Sequence, residues 1–351
     1  MPNTTIAETK SRRLMALRFS ALGDVAMTLP ALYSLARRYP DLHIDFVTTP
    51  FFGRLFINPP ANLHVHGIDL KKEYKGAAGM MRLLRYLDGL RPDMVADLHN
   101  VGRTWIIDKW MRMRGVKVEM VDKMRGGRRR VLKLHEAQPP FISRYADVFA
   151  RLGYPIELDF ETLFPDGLPE VEIEVKHPAV GVAPFARYYN KTYPVAQMRA
   201  VVEGLTSRGV NVYLFGARGR EAEQLGTWTA YNDRCHSLAG RFTLEQELAL
   251  MARMDVMVSM DSANQHMASL TGTPVVSLWG STTPACGFMA YRQSADNALV
   301  AGLDCQPCTI AGSAVCPKGT LDCFLELPPE RVIGAVMRLL PETSTDNPTD
   351  R

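Results

Sequence analysis

Short apolar runs recur along this chain in two series, and nearly every run is followed by a segment whose apolar positions fall at helical spacing. The first series comprises Leu14–Phe19, His43–Thr48 and Met94–Leu98, with a helical pattern from Val25 to Tyr39. The second comprises Val180–Pro184, Val210–Gly216, Val256–Met260 and Pro274–Gly280. Runs this short and this apolar suit strands covered on both faces, and their alternation with helices joins them by crossovers into parallel sheets. Between the two series, Glu157–Pro178 breaks into Leu-Asp-Phe-Glu, Phe-Pro-Asp-Gly-Leu-Pro and a charged alternating stretch, which places a linker there. With 351 residues and roughly 150 residues per domain, two domains are expected. The boundaries follow as residues 1–165, 166–340 and a polar, disordered tail from 341 to 351, preceded by a helix over 328–340 with prolines at its first turn.

An apolar fraction of 46% supplies full cores, and a net charge of +4 favours an acidic substrate or an anionic surface without arguing for nucleic acid. Residues 1–10 are polar, and Leu14–Phe19 is too short and wrongly flanked for a signal peptide. No window approaches the roughly 18 apolar residues of a membrane span. The expectation is a cytoplasmic protein, at most peripheral on the cytoplasmic face of the inner membrane. Six cysteines in a chain of this length do not make a disulfide scaffold.

Ligands of open α/β sheets bind at the carboxyl ends of the strands. The first such end is Ser20-Ala-Leu-Gly-Asp24, a glycine turn with a carboxylate where a helix begins. Its free N–H groups suit an anion or a polarised hydroxyl, and Asp24 either faces that ligand or caps the helix. No Gly-x-Gly-x-x-Gly follows, which weighs against a dinucleotide oxidoreductase. In the second half, the loop after Val180–Pro184 carries Arg187 and Lys191. A lysine there meets a phosphate as a point charge or remains a solvated cation. Asp261-Ser-Ala-Asn-Gln-His266 follows another buried run and opens a helix. Ser262, Ala263 and Asn264 offer a hydroxyl and backbone donors to a diphosphate. His266 either bonds a phosphate or sugar hydroxyl or is structural, and Asp261 either binds sugar hydroxyls or caps. Ser281-Thr-Thr-Pro284 is a further hydroxyl-rich turn on the same edge.

These segments together resemble glycosyltransferase family 9, the lipopolysaccharide heptosyltransferases. The matches are Arg18–Asp24 with Thr28-Leu-Pro30, Lys191-Thr-Tyr-Pro194, Asp261–His266 and Gly272-Thr-Pro274, in an order and spacing that run through nearly the whole chain. The resemblance implies a GT-B fold, two Rossmann-like doubly wound α/β domains facing across a cleft. The N-terminal domain would bind the acceptor and the C-terminal one the nucleotide sugar. It implies Asp24 as the base, Lys191 on the donor phosphate, and Asp261 to His266 around the nucleotide sugar. The donor would be a nucleoside-diphosphate sugar, ADP-heptose by resemblance, and the acceptor a lipid-linked, phosphorylated saccharide of the lipopolysaccharide core. Inversion at the anomeric carbon, no cofactor and no obligatory metal are implied. The chain departs from the family at Phe185 and Ala263, where relatives commonly carry glycine, and at Tyr193, where tryptophan is usual. Added bulk beside a diphosphate alters how closely the backbone approaches it. A non-catalytic sugar-nucleotide or glycan-binding protein on the same fold is the alternative.

Basic residues cluster from Lys109 to Lys133, among them Arg112, Arg114, Lys117, Arg125, Arg128, Arg129 and Arg130. Such a run is a solvated face, or it receives the acceptor and leans on an anionic leaflet. His99 and Asn100, at another strand end, are further acceptor-side candidates. Cys305, Cys308, Cys316 and Cys323 leave a metal, disulfides and free thiols all open.

Overall fold

The computed structural model describes residues 12–341 with the exception of Tyr231, so the expected tail lies outside the described residues apart from its first position. Two compact units emerge: Met1–Arg125 with Phe141–Leu163, and Gly126–Pro140 with Phe164–Arg351.

In the first unit, β1 (Arg13–Leu17), β2 (His43–Thr48), β3 (Leu63–Gly67), β4 (Met94–Asp97) and β5 (Lys117–Met120) form one parallel sheet in the order β3-β2-β1-β4-β5. Leu14 pairs with Ile44 on one side and Met94 on the other. The chain therefore winds outward from β1 and then returns to add β4 on its other side. That reversal leaves a crevice at the carboxyl ends of β1 and β4, the switch point where such sheets bind ligands. Past their first residues the central strands are buried, with Leu14, Met15, Ala16, Leu17, Phe46 and Val95 among the core residues. The helical pattern from Val25 to Tyr39 is realised in two pieces, Leu22–Ala26 and Leu29–Arg38. Pro30 supplies no N–H, and the Thr28 hydroxyl donates to Val25 O (2.7 Å), so the break falls between them.

The second unit holds β6 (Ala179–Ala183), β7 (Asn211–Leu214), β8 (Cys235–Ser237), β9 (Val256–Met260), β10 (Val275–Trp279) and β11 (Ala298–Val300). They form a parallel sheet in the order β11-β10-β9-β6-β7-β8, whose switch point lies between β6 and β9. Buried valines of β6, β7, β9 and β10 pack with Leu205, Phe324 and Val332 into one core. Phe324 also bears on the end of β10. A Cβ on Gly280 would lie 2.4 Å from the Phe324 ring and 2.7 Å from Asn190 O. Gly280→Ala is therefore expected to destabilise the protein by about 1–3 kcal/mol through overpacking, read as a lower denaturant midpoint.

Among the described residues, no helix is long and apolar enough to cross a membrane.

Candidate active site

At the first switch point, β1 delivers Arg18 into the interior, where it is only 4% exposed. Its guanidinium donates to Leu98 O (2.6 Å) and Ser20 O (2.8 Å) and pairs with Asp24 Oδ1 at 2.8 Å. The other Asp24 oxygen accepts the Ala21 N–H at 2.9 Å, at the start of the helix Leu22–Ala26. Asp24 thus caps its helix and holds a buried arginine at once, with a quarter of its side chain still exposed. The Ser20–Ala21 peptide between these groups is cis.

The neighbouring end of β4 contributes His99. Its Nε2 lies 3.3 Å from the Ser20 hydroxyl, and its ring meets Phe19 edge-on. Burial, reinforced by the Arg18 charge, pushes His99 down to about 3, so the imidazole is neutral at physiological pH. Lys123 was not singled out by sequence reasoning; burial and the charges of Arg18 and Arg125 push it down to about 8, while Asp24 and Asp97 oppose that shift. Asn100, by contrast, is engaged structurally. Its Nδ2 donates to Val121 O (2.7 Å) and its Oδ1 accepts from Trp105 Nε1 (2.8 Å).

Beneath this loop, Asp97 accepts the N–H groups of His99 and Asn100 at 2.8 Å and the Thr104 hydroxyl at 2.6 Å. Burial, with the Asp97 carboxylate beside it, pushes the Asp108 carboxyl from the ordinary 3.8 up to about 8. Between those values the unfolded chain has released its proton and the folded chain still holds one, so stability falls as pH rises through that window. Asp108→Asn is uncharged throughout. It is expected to stabilise the protein by on the order of 5 kcal/mol at pH 8 and hardly at all at pH 4, as measured by denaturant melts at both values.

At the second switch point, Lys191 stands in a short turn after β6, and Asp261 follows β9. Lys191 Nζ lies 2.6 Å from Asp261 Oδ2, with the two side chains 13% and 4% exposed. The same oxygen accepts the Thr282 hydroxyl at 2.5 Å, and Oδ1 accepts Gln265 Nε2 at 3.0 Å. Lys191 is therefore no solvated loop cation. Nor does Asp261 cap the following helix, Ala263–Leu270, whose N-cap is Ser262. The Ser262 hydroxyl lies 3.3 Å from that of Ser259 and makes no cap bond. The first N–H groups of this helix, at the partly exposed Ala263 and Asn264, therefore have no partner from a side-chain cap. His266 is buried in the helix and Arg187 is exposed, stacked over Tyr188. Of the departures from the family, Phe185 packs against the core, and Tyr193 is fully buried with its hydroxyl donating to Leu327 O at 2.6 Å.

Sequence reasoning missed what holds Lys191 in place. Asn190 is buried, exchanges hydrogen bonds with Ser313 at 2.9 Å and accepts the Ser281 N–H at 3.0 Å, tying the cysteine-containing loop to this turn. Gly312, at φ +93°, lies against Lys191, where a Cβ would come within 2.5 Å of its Cδ. All six cysteines are free thiols. Cys305, Cys308, Cys316 and Cys323 line one small cavity beside Asn190, and among the described residues no group has metal-holding geometry.

Each doubly wound sheet thus carries a half-buried or buried cation–carboxylate pair at its switch point, and the second adds a helix N-terminus suited to phosphate. Two such doubly wound domains in one chain are the architecture of the GT-B class. The chain belongs to glycosyltransferase family 9 (heptosyltransferase), whose family model matches residues 80–317. It is 25% identical to lipopolysaccharide heptosyltransferase 1 of Pseudomonas aeruginosa over 94% of this chain and 99% of that one. It is also 25% identical to lipopolysaccharide heptosyltransferase 3 of Escherichia coli, over 74% and 81% respectively. Among solved structures, the family 9 glycosyltransferase of Veillonella parvula matches with a TM-score of 0.70 at 18% identity, over 95% of this chain and 98% of that one. The E. coli heptosyltransferase WaaC with ADP matches with a TM-score of 0.68 at 18% identity, over 93% and 99%.

Proposed function

We propose that the enzyme moves a heptose from ADP-heptose onto a lipid-linked, phosphorylated saccharide of the lipopolysaccharide core, by one inverting displacement. The observation that carries this reading is the placement of the Arg18–Asp24 and Lys191–Asp261 pairs at the two switch points of a family 9 chain. Relatives named as lipopolysaccharide heptosyltransferases, and a structural neighbour holding ADP, support the substrates.

Asp24 takes the proton of the acceptor hydroxyl as its oxygen attacks the anomeric carbon, and Arg18 orients the carboxylate. The bond from that carbon to the donor phosphate breaks, and the electron pair leaves with the nucleoside diphosphate. An ammonium has three donors, so Lys191 keeps two for the departing diphosphate while the third holds Asp261. The N–H groups at Ala263 and Asn264 share the growing negative charge. A diphosphate leaves without protonation by a second carboxylic acid, which separates this scheme from that of a glycosidase.

Phe185 turned onto the core supports turnover over the binding-only reading. The test is nucleoside diphosphate release from ADP-, UDP- and GDP-sugars with and without deacylated lipopolysaccharide core. Acceptor-dependent ADP release is expected, and donor binding without release under any acceptor overturns the reading.

A further inference from the structure

The helix Gly102–Met113, which follows β4, presents an outer face that neither the core nor the switch-point site uses. Trp105, Ile106 and Met113 are 49%, 50% and 67% exposed on it. A groove of about 380 Å³ runs beside these side chains, lined also by Leu84, Trp110 and Lys109. The neighbouring helix Gly76–Gly89, which lends Leu84 to the groove, also exposes Met81 at 40%.

The exposed charges of the helix itself are all basic. Arg103, Lys109 and Arg112 occupy exposed positions on it and Arg114 follows at its C-cap, whereas Asp108, the helix's one carboxylate, is fully buried. Arg82 and Arg85 add to it from the neighbouring helix, and Asp88 there is paired with Arg114 at 3.0 Å. Trp105 is fixed rather than free: its Nε1 donates to Asn100 Oδ1 at 2.8 Å, and Arg125 lies 5.6 Å from its ring centre. A tryptophan held outward at its polar end has its ring available to an apolar partner.

We propose that this face docks on a bilayer surface bearing anionic phospholipid. Trp105, Ile106 and Met113 would enter the boundary between headgroups and acyl chains, with the four cations at the level of the phosphates. The absence of any exposed carboxylate on the helix favours an anionic bilayer over a protein partner, whose interface would need matched acidic groups. Docking rests on the proposed lipid-linked acceptor for its purpose, because it would bring the enzyme to where such a substrate resides.

The experiment is co-sedimentation of the full chain with vesicles of phosphatidylcholine alone or mixed with phosphatidylglycerol. Association is expected to be at least about tenfold stronger with the anionic vesicles and to weaken as salt is raised. The double variant Trp105→Ser, Ile106→Ser should lose about tenfold or more of that association while its ADP release on deacylated acceptor is unchanged. Equal binding to both vesicles, or a double variant that binds like the parent, overturns the proposal. So does a sedimentation-velocity dimer that the double variant dissociates, since that assigns the face to a second copy of the chain. Vesicle binding is read without turnover, so a parent chain that releases ADP but does not bind the anionic vesicles fails this proposal alone. Docking without release fails only the proposed reaction.

Discussion

Asp24→Asn is expected to lower turnover by about 10²–10⁴-fold, the usual contribution of a positioned general base, while donor affinity measured by calorimetry stays within about twofold. The asparagine keeps the size of the side chain and an oxygen for the Ala21 N–H, but it has no charge for Arg18 and no basicity for the acceptor hydroxyl. Arg18 keeps its bonds to Ser20 O and Leu98 O, so the variant should still fold, with a loss of about 1–3 kcal/mol for the weakened charge-assisted bond. A melting curve therefore accompanies the assay. Turnover near the parent value in a folded variant would remove Asp24 from the mechanism.

Lys191→Met is expected to act on both stability and donor affinity. It preserves much of the apolar stem but leaves the Asp261 carboxylate, 4% exposed, with the Thr282 hydroxyl and the Gln265 amide and without a cation at 2.6 Å. Removing one member of a buried pair typically costs about 3–5 kcal/mol. In a domain of this size that corresponds to a fall of roughly 6–20 °C in melting temperature. Donor affinity should fall by about tenfold or more with the charge on the diphosphate side gone. The double variant Lys191→Met, Asp261→Asn separates the two effects, since it should recover part of the stability without recovering the affinity. Donor affinity equal to that of the parent in Lys191→Met would mean that the lysine serves Asp261 alone.

The two effects differ in how much of them the chain states locally. Arg18, Ser20 and Asp24 lie close together in the chain, so a reading of that segment already offers Asp24 as cap or as base, although its pairing with Arg18 appears only in the fold. The Lys191–Asp261 pair spans three strands and the helices between them in the chain. It exists because β6 and β9 are neighbours across a switch point, and nothing near either residue announces that adjacency. Thr282 reaches Asp261 because β10 neighbours β9, whereas Gln265 reaches it from four residues on in the same segment, and Gly312 is explained only by the lysine stem that lies against it.

The strands divide along the same line. The central ones, β1, β2, β4, β6, β7, β9 and β10, were all evident as apolar runs, because a strand covered on both faces is apolar in its own composition. The four missed strands, β3, β5, β8 and β11, are the edges of the two sheets. Leu63-His-Val-His-Gly67 and Lys117-Val-Glu-Met120 carry polar residues because an edge strand has one neighbour and a solvated flank. Residues 126–140 likewise belong to the second unit although the chain on either side belongs to the first, an assignment made by packing. By itself, the sequence determined the two sheets, their central strands and the polar turns that end them, since burial and turn chemistry are written residue by residue. The tertiary structure alone decided which turns meet, which cation each carboxylate holds and where each sheet stops, since those follow from strand order, a property no single segment contains.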